Sequence, residues 1–404
     1  METPHGHLTY CTNILPGETW ADHFARLREY IPVIRQEVAP GKAFGIGLRL
    51  SDVASRELAA GTNLADFRQW LTENKAYVFT MNGFPYGSFH RTKVKDYVHA
   101  PDWLSRDRVQ YTIRLAGILS ELLSAGMEGG ISTSPLSYRF WHNQQHLEPV
   151  FRQATRNILD VLDMLIQIRQ STGKLIHIDI EPEPDGLLGD GTEFLNWYLD
   201  YLLPEGISFV CQKFGCTKEE AESHIKTHIQ LCYDVCHFAV CYEDHAAMIK
   251  KFRSHGIRTG KIQISAALKA GMAADIADRE PVLDAFRQFN ESTYLHQVVA
   301  KYANGELKRY ADMPDALADA DNPQVREWRA HYHVPIFIEN YGILDATRQD
   351  IEKVLQIHCA NPFTRYLEIE TYTWEVLPQD IRLPLADSII REMQWVTGLL
   401  ATHD

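Results

Sequence analysis

The fold is decided by one stretch of sequence, Leu175-Ile176-His177-Ile178-Asp179-Ile180-Glu181-Pro182. Apolar residues alternate in it with His177, Asp179 and Glu181, so the three polar side chains share one face of a predicted strand. Polar groups on one inner face are costly unless something satisfies them. In a parallel barrel the carboxyl end of a strand opens into a shared cavity, where a ligand can satisfy them. The alternative is that these acids cap the next turn or accept bonds from loop amides.

Outward from this stretch, short apolar or alternating runs recur between longer helical patterns, as expected of βα units. The predicted strands are 7–13, 43–48, 77–83, 129–134, 175–181, 230–234, 261–265 and 366–371. The predicted helices are 19–38, 64–73, 108–124, 150–170, 218–229, 244–255, 281–300, 346–356 and 383–400. Eight units let a parallel sheet close on itself, so the sequence predicts a (β/α)8 TIM barrel. An open doubly wound sheet is the alternative, but the first turns carry no G-x-G-x-x-G motif.

A single domain over 1–404 is predicted, with two additions to the barrel. The gap between Ser265 and Tyr366 is too long for one crossover, so 266–330 forms an elaborated insertion between strands seven and eight. It contains the helical pattern 281–300 and a turn-rich part around 312–323, and 334–339 is a surplus strand candidate. A C-terminal helix is expected within 383–404.

The composition excludes several classes of protein. Among 404 residues, 40 Lys and Arg stand against 53 Asp and Glu, a net charge of −13, and no basic block occurs. Nucleic-acid phosphates are bound by clustered Lys and Arg, so we expect no nucleic-acid partner. Residues 1–7 have neither the basic start nor the apolar stretch typical of a signal peptide, and no run of about 18 apolar residues occurs, so we expect a cytoplasmic protein without direct membrane insertion. The seven scattered cysteines form no disulfide framework.

Two further strand ends carry acids that suit a metal ion. Asp234 and His237 form a D-x-x-H pattern, which lets oxygen and nitrogen ligands face one point. A helix cap beside a satisfied histidine is the alternative. Glu368 and Glu370 share one face of strand eight, and two buried acids repel unless a cation or a proton intervenes. Solvent exposure of Glu368 is the alternative there.

Other polar residues near strand ends are candidate substrate contacts. His331 and His333 form an H-x-H pair before the last βα unit, although surface histidines fit the same pattern. On strand seven, Lys261 and Gln263 could position a polyhydroxylated substrate by hydrogen bonds, or the lysine could be solvated. The loop 82–90 is rich in turn formers and aromatic residues, which suits a wall over the mouth with Asn82 and His90 as polar contacts. Ordinary turn structure is the alternative for this loop.

The order of these features resembles the xylose-isomerase-like TIM-barrel superfamily. That superfamily includes sugar isomerases, sugar epimerases and the metal-dependent endonucleases of abasic-site repair. More specifically, segments 7–13, 82–87, 100–103 and 370–374 are similar to EboE-type metabolite traffic proteins, and the similarity spans nearly the whole chain. This likeness implies a setting, the processing and export of a biosynthetic intermediate, more clearly than it implies a reaction.

The resemblance implies Glu181, Asp234 and Glu370 as metal ligands, with His237 as a ligand or a substrate contact. Gln263 stands where the superfamily usually has a histidine, and His333 or His331 could replace that ligand. The metal implied is a divalent ion, Mn, Mg, Co or Zn. Without a histidine the site would be oxygen-rich and would favour Mg or Mn.

Three functions follow from these residues. The first is a metal-dependent isomerase or epimerase of a sugar-like metabolite, in which Glu181 and Glu370 exchange a proton. Its substrate contacts would be Asn82, His90, Lys261, Gln263 and His331. The second is a non-catalytic metabolite-binding or traffic protein on the same fold, favoured by incomplete metal ligation. The third, a metal-dependent phosphodiesterase or endonuclease, needs more histidines at the mouth and conflicts with the acidic charge. Proteins of an export pathway and a second copy of the chain are the candidate protein partners.

Overall fold

The computed structural model describes residues 1–87, 94–375 and 384–402. Eight parallel strands form a closed barrel: β1 (Gly6–Tyr10), β2 (Phe44–Arg49), β3 (Ala76–Asn82), β4 (Gly129–Thr133), β5 (Ile176–Ile180), β6 (Ile229–Asp234), β7 (Thr259–Ile264) and β8 (Tyr366–Ile369). Neighbours in this order pair in parallel from β2 to β8, and β8 pairs with β1. A parallel bridge between Cys11 and Gly47 closes the ring between β1 and β2. The TIM-barrel prediction is thereby confirmed.

Helices cover the outside of this barrel. The helices of the described residues are Trp20–Val38, Asp52–Leu58, Asn63–Glu73, Arg106–Leu122, Glu148–Thr172, Gly191–Trp197, Leu203–Phe214, Lys218–His228, Val235–Val240, His245–Ser254, Glu280–Phe289, Met313–Ala318, Arg348–Ala360 and Leu385–Ala401. The helices around the barrel pack their apolar faces on outward side chains of its strands, such as Ile178, Leu231 and Ile262, which are fully buried. Glu280–Phe289 and Met313–Ala318 instead contact strands of the insertion between β7 and β8. Among these helices none is both long enough and apolar enough to cross a bilayer.

A second, antiparallel sheet is inserted between β7 and β8. Its strands run in the order Leu307–Tyr310, Val298–Tyr302, Val325–Ala330, Leu268–Gly271, Leu344–Ala346 and Asn340–Tyr341. A two-residue strand, Glu2–Thr3, pairs with β1 outside the ring. The strand Val325–Ala330 leads directly into His331, so this sheet determines where the H-x-H pair lies.

Two local predictions for this insertion are wrong. The helical pattern 281–300 is helical only over Glu280–Phe289, because the β-branched residues Val298 and Val299 enter the inserted sheet instead. The stretch 334–339 forms no strand. Its backbone donors have other partners, since Val334 donates to the Ala266 carbonyl and Ile336 donates to the Glu392 side chain.

Candidate metal centre

Three carboxylates converge at the carboxyl ends of β5, β6 and β8. Glu181 follows β5, Asp234 ends β6 and Glu370 follows β8. Each offers a ligand oxygen, and these atoms lie within 4.8 Å of one another. All three side chains are buried. Buried carboxylates this close repel one another unless protons, hydrogen-bond donors or a cation compensate them.

The amide of Gln263, on β7, lies between these three acids. Its Nε2 donates to Glu181 Oε1 at 2.9 Å, to Asp234 Oδ2 at 3.1 Å and to Glu370 Oε2 at 2.5 Å. A neutral amide with two hydrogens thus serves three acceptors. Sequence analysis identified Gln263 as a departure from the superfamily but did not show that it faces all three acids.

Other side chains complete the bonding of the acids. Asn13 and Asn82 each donate from Nδ2 to Glu370 Oε1 at 2.7 Å. Ser265 donates to Asp234 Oδ1 at 2.7 Å. Asp234 also accepts from the backbone N–H of His237, because it caps the short helix Val235–Val240. The capping alternative and the metal alternative for the D-x-x-H pattern are therefore compatible.

The predicted histidines lie around the acids. His333 Nδ1 is 3.3 Å from Glu370 Oε2, and its Nε2 is 3.9 Å from Asp234 Oδ2. His237 Nδ1 is 2.8 Å from the Pro182 carbonyl and 3.7 Å from Glu181 Oε1. Within the described part of the chain, Glu181 Oε2 and His333 Nε2 are buried without a hydrogen-bond partner. Unpaired buried oxygen and nitrogen atoms beside converging acids fit the donor set of a divalent metal ion.

The electrostatics of this group follow from burial and close charges. Burial, then the neighbouring Glu370 and Asp234 carboxylates, raise the pKa of Glu181 well above its usual range. Burial alone would raise the pKa of Asp234, but His237 and His333 lower it below its ordinary value. Burial alone would lower the pKa of His333, but Asp234 raises it well above the ordinary histidine value. The site therefore contains one carboxyl that favours its neutral form and one close acid–imidazole pair.

A second cluster lies next to the first and shares His237. Glu183, His237 and His331 each offer a ligand atom within 4.8 Å of the others. The His237 and His331 Nε2 atoms are 3.2 Å apart, and Gln297 Oε1 lies 2.7 Å from His331 Nδ1. Burial raises the pKa of Glu183 to about 8.

His99 adjoins this second cluster. Its Nε2 is 3.6 Å from Glu183 Oε2, and the ring is fully buried with no hydrogen bond among the described residues. Burial, then Arg108, lower the pKa of His99 to about 3, so the neutral ring is a potential metal or substrate ligand.

Both clusters border one narrow cavity at the barrel mouth. The cavity has a volume of about 50 Å³, which is enough for an ion and a few water molecules. Its polar lining is Asn13, Asn82, Lys95, Glu181, Glu183, His237, His331, His333 and Glu370. Phe84, Pro85, Val94, Val98, Tyr294, Leu295 and Tyr372 complete the wall. Asp234 and Gln263 lie directly behind these lining residues.

The structure does not bring every predicted residue to the cavity. Lys261 is fully buried within the barrel, and its Nζ donates to Glu368 Oε2. Burial lowers the pKa of Lys261, but the Glu368 carboxylate raises it above its ordinary value overall. Lys261 is thus the cation that compensates Glu368, and solvent exposure of Glu368 is excluded. His90 lies outside the described residues.

Sequence reasoning missed several residues of the site. Glu183 could have been found, because the Glu181-Pro182-Glu183 repeat places two acids just beyond the end of β5. His99 and Gln297 gave no signal, since they reach the site from the short 3-10 helix Lys95–His99 and from the residue just before the inserted strand Val298–Tyr302. Glu392, which accepts from the Thr371 hydroxyl beside Glu370 and from the Ile336 N–H, belongs to the C-terminal helix.

No protein-family model matches the chain, and no curated protein matches it. Solved structures similar to it include L-ribulose 3-epimerase, 9% identical with a TM-score of 0.49, covering 98% of this chain and 95% of that chain. A xylose isomerase domain protein from Alicyclobacillus acidocaldarius is 8% identical with a TM-score of 0.47, covering 98% and 99%. An IOLI protein with a bound zinc atom is 10% identical with a TM-score of 0.45, covering 99% of each chain. At such low sequence identity, the likeness to these structures concerns the fold alone.

Proposed function

We propose that this protein is a divalent-metal-dependent isomerase or epimerase of a polyhydroxylated, sugar-like metabolite. One observation carries the proposal: Glu181, Asp234 and Glu370 converge from three barrel strands beside a narrow cavity at the barrel mouth. Glu370, which is held by the Asn13 and Asn82 amides, and Glu181 are the two proton carriers that such a reaction needs.

The residues that would hold the ion are Glu181, Asp234, Glu370, His333 and His237. The ion would act as a Lewis acid that polarises the substrate carbonyl and its neighbouring hydroxyl. Gln263 would either remain a donor to the acids or turn its amide over and offer Oε1 as an oxygen ligand. An oxygen-rich set of this kind favours Mg or Mn, whereas His333 and His237 suit Zn or Co.

Proton transfer is assigned to two of the acids. Glu370 is oriented by Asn13 and Asn82, and it would remove the proton from the carbon beside the carbonyl. Glu181 would return a proton to the same carbon or to its neighbour. The first outcome is epimerisation and the second is isomerisation. His331 and Asn82 line the cavity and would orient hydroxyl groups.

The resemblance to EboE-type proteins supports setting this reaction in a metabolite processing and traffic pathway. The seven free cysteines are consistent with a reducing compartment, so we propose the cytoplasm as its location. Proteins of the same pathway and a second copy of the chain are the partners proposed with it.

A non-catalytic metabolite-binding protein is the second candidate, because the Gln263 amide already donates to all three acids where an ion would otherwise bind. A phosphodiesterase remains the third, and the cluster of Glu183, His237 and His331 with neighbouring His99 is the feature that favours it. The number of metal ions bound per chain distinguishes the three candidate functions. We expect one ion per chain for the isomerase, none for a site closed by Gln263, and two or more for the phosphodiesterase.

The direct test follows hydrogen exchange rather than a chosen product. Metal-free protein is loaded with Mn, Co, Zn or Mg and incubated in D₂O with a panel of pentoses, hexoses and their phosphates. Proton NMR should show deuterium entering the carbon beside the carbonyl of at least one substrate, and EDTA should abolish it. Protein that binds metal but exchanges no proton on any member of the panel would contradict the enzymatic proposal.

A further inference from the structure

The N-terminal face of the barrel, opposite the mouth, contains a larger pocket. It has a volume of about 480 Å³ and lies among the starts of β5, β6, β7 and β8. This volume is typical of small-molecule sites, whereas the cavity at the mouth is far narrower. We call it the basal pocket and define it by Glu128, His177, Gln230, Arg253, Arg258 and Arg365.

Cations dominate the rim of the basal pocket. Arg258 and Arg365 are exposed, and neither has a side-chain hydrogen bond or ion pair with any residue in the described ranges. Arg253 is held in place by the Asn361 carbonyl and side chain, at 3.2 and 3.0 Å. Three guanidinium groups beside one acid, Glu128, are unusual in a chain whose net charge is −13. Guanidinium groups bind oxyanions through paired N–H donors.

The floor of the basal pocket is a carboxylate–histidine pair that the proposed reaction does not use. His177 is 1% exposed, and its Nδ1 lies 2.5 Å from Asp179 Oδ1. That contact fixes the ring and leaves Nε2 as the nitrogen that can reach the pocket. Room for the pair comes from glycine, because a Cβ on Gly260 would lie 1.9 Å from Asp179 Oδ1.

We propose that the basal pocket binds a small anion that carries a phosphate group. Arg258 and Arg365 would clamp the phosphate oxygens from the rim, and His177 would hydrogen-bond a third oxygen from the floor. A tetrahedral oxyanion suits donors that approach from several sides, whereas a flat carboxylate uses one guanidinium fork. The ligand is either free phosphate or a phosphorylated metabolite. The site lies at the other end of the barrel from the acids and does not depend on the proposed reaction.

Calorimetry on the full chain tests this proposal. EDTA-treated protein is titrated with inorganic phosphate and, separately, with ribose 5-phosphate, in a buffer without other oxyanions. We expect one binding event per chain for at least one probe. The double variant Arg258→Gln/Arg365→Gln should weaken it at least tenfold, and His177→Asn should weaken it without changing the melting temperature of the free protein by more than a few degrees.

A matched control removes two exposed arginines elsewhere. Arg56→Gln/Arg68→Gln changes the net charge equally, on helices away from the pocket, and should leave the affinity unchanged. Tighter binding of ribose 5-phosphate than of phosphate would identify an ester as the ligand, and equal binding would identify the phosphate group alone. No binding of either probe to the wild type, or equal losses in both double variants, would overturn the proposal.

Discussion

Among single residues, Gln263 distinguishes this candidate metal centre from one in which a histidine occupies the same position. Its Nε2 bonds all three acids, so an incoming ion must displace or turn over this amide. We expect Gln263→His to tighten Zn binding about tenfold or more, because an imidazole supplies a nitrogen ligand at the centre. Calorimetry with Zn on metal-free protein measures the change.

The control for this prediction is Gln36→His, which adds an imidazole at an exposed position of the helix Trp20–Val38, away from the centre. It should leave Zn affinity unchanged. An unchanged affinity in Gln263→His as well would mean that residue 263 does not contact the bound ion.

A substitution at Glu181 tests whether its side chain acts in the reaction or only stabilises the fold. Its raised pKa favours the neutral carboxyl, so Glu181→Gln should preserve shape and change the free energy of unfolding by less than about 1 kcal/mol. Formation of the epimer or isomer should nevertheless be lost, because an amide cannot return the proton that Glu370 removes. Denaturant melts and NMR measure the two effects. A large loss of stability would identify Glu181 as structural.

At the scale of elements, the C-terminal helix Leu385–Ala401 holds three parts of the site together. Its Glu392 accepts from Tyr10 OH at 2.6 Å, from the Ile336 N–H at 2.8 Å and from Thr371 Oγ1 at 2.9 Å. These partners lie on β1, after the H-x-H pair and next to Glu370. Glu392 is therefore a positioning residue that sequence analysis could not assign.

The buried carboxyl of Glu392 should also make the free energy of unfolding depend on pH. Burial raises its pKa to about 7, so the folded protein keeps it protonated at pH values where the unfolded chain has lost the proton. Its contribution is therefore fully present below about pH 4.5 and is lost as the pH rises to about 7, a change of about 3 kcal/mol. Glu392→Gln mimics the protonated form, so the variant should gain stability relative to the wild type between pH 5 and pH 7.5.

Denaturant melts of the wild type and of Glu392→Gln at pH 5 and at pH 7.5 measure this difference in stability. Other titrating groups act equally in both and cancel. A stability difference that does not change with pH would show that Glu392 ionises alike in the folded and unfolded chains.

The strands of the barrel carry glycines where inward acids need space. A Cβ at Gly260 on β7 would overlap the Asp179 carboxylate, so Gly260→Ala should destabilise the protein by about 1–3 kcal/mol. Gly271 also lies in a strand, but a Cβ there meets nothing within 4 Å, so Gly271→Ala is the matched control. Denaturant melts compare them, and equal effects would refute the overlap.

At the scale of the whole molecule, metal binding should stabilise the fold. An ion that binds the folded chain alone adds about 2.7 kcal/mol at a hundred times its dissociation constant. We expect Mn or Zn to raise the melting temperature by a few degrees and EDTA to reverse the rise. Thermal melts of the wild type and of Glu181→Gln/Glu370→Gln measure it, and an equal rise in both proteins would place the ion elsewhere.

The amino-acid sequence alone was enough to predict the barrel and most of the polar side chains at its mouth. Strand periodicity located all eight strands within a few residues, and acids at strand ends had to meet, because parallel strands open at one edge. Tertiary structure alone decided that Lys261 neutralises Glu368, that Gln263 faces three acids, and that His99 and Glu392 reach the site. Those contacts join residues far apart in the chain, and no local pattern encodes which distant side chain fills a given space.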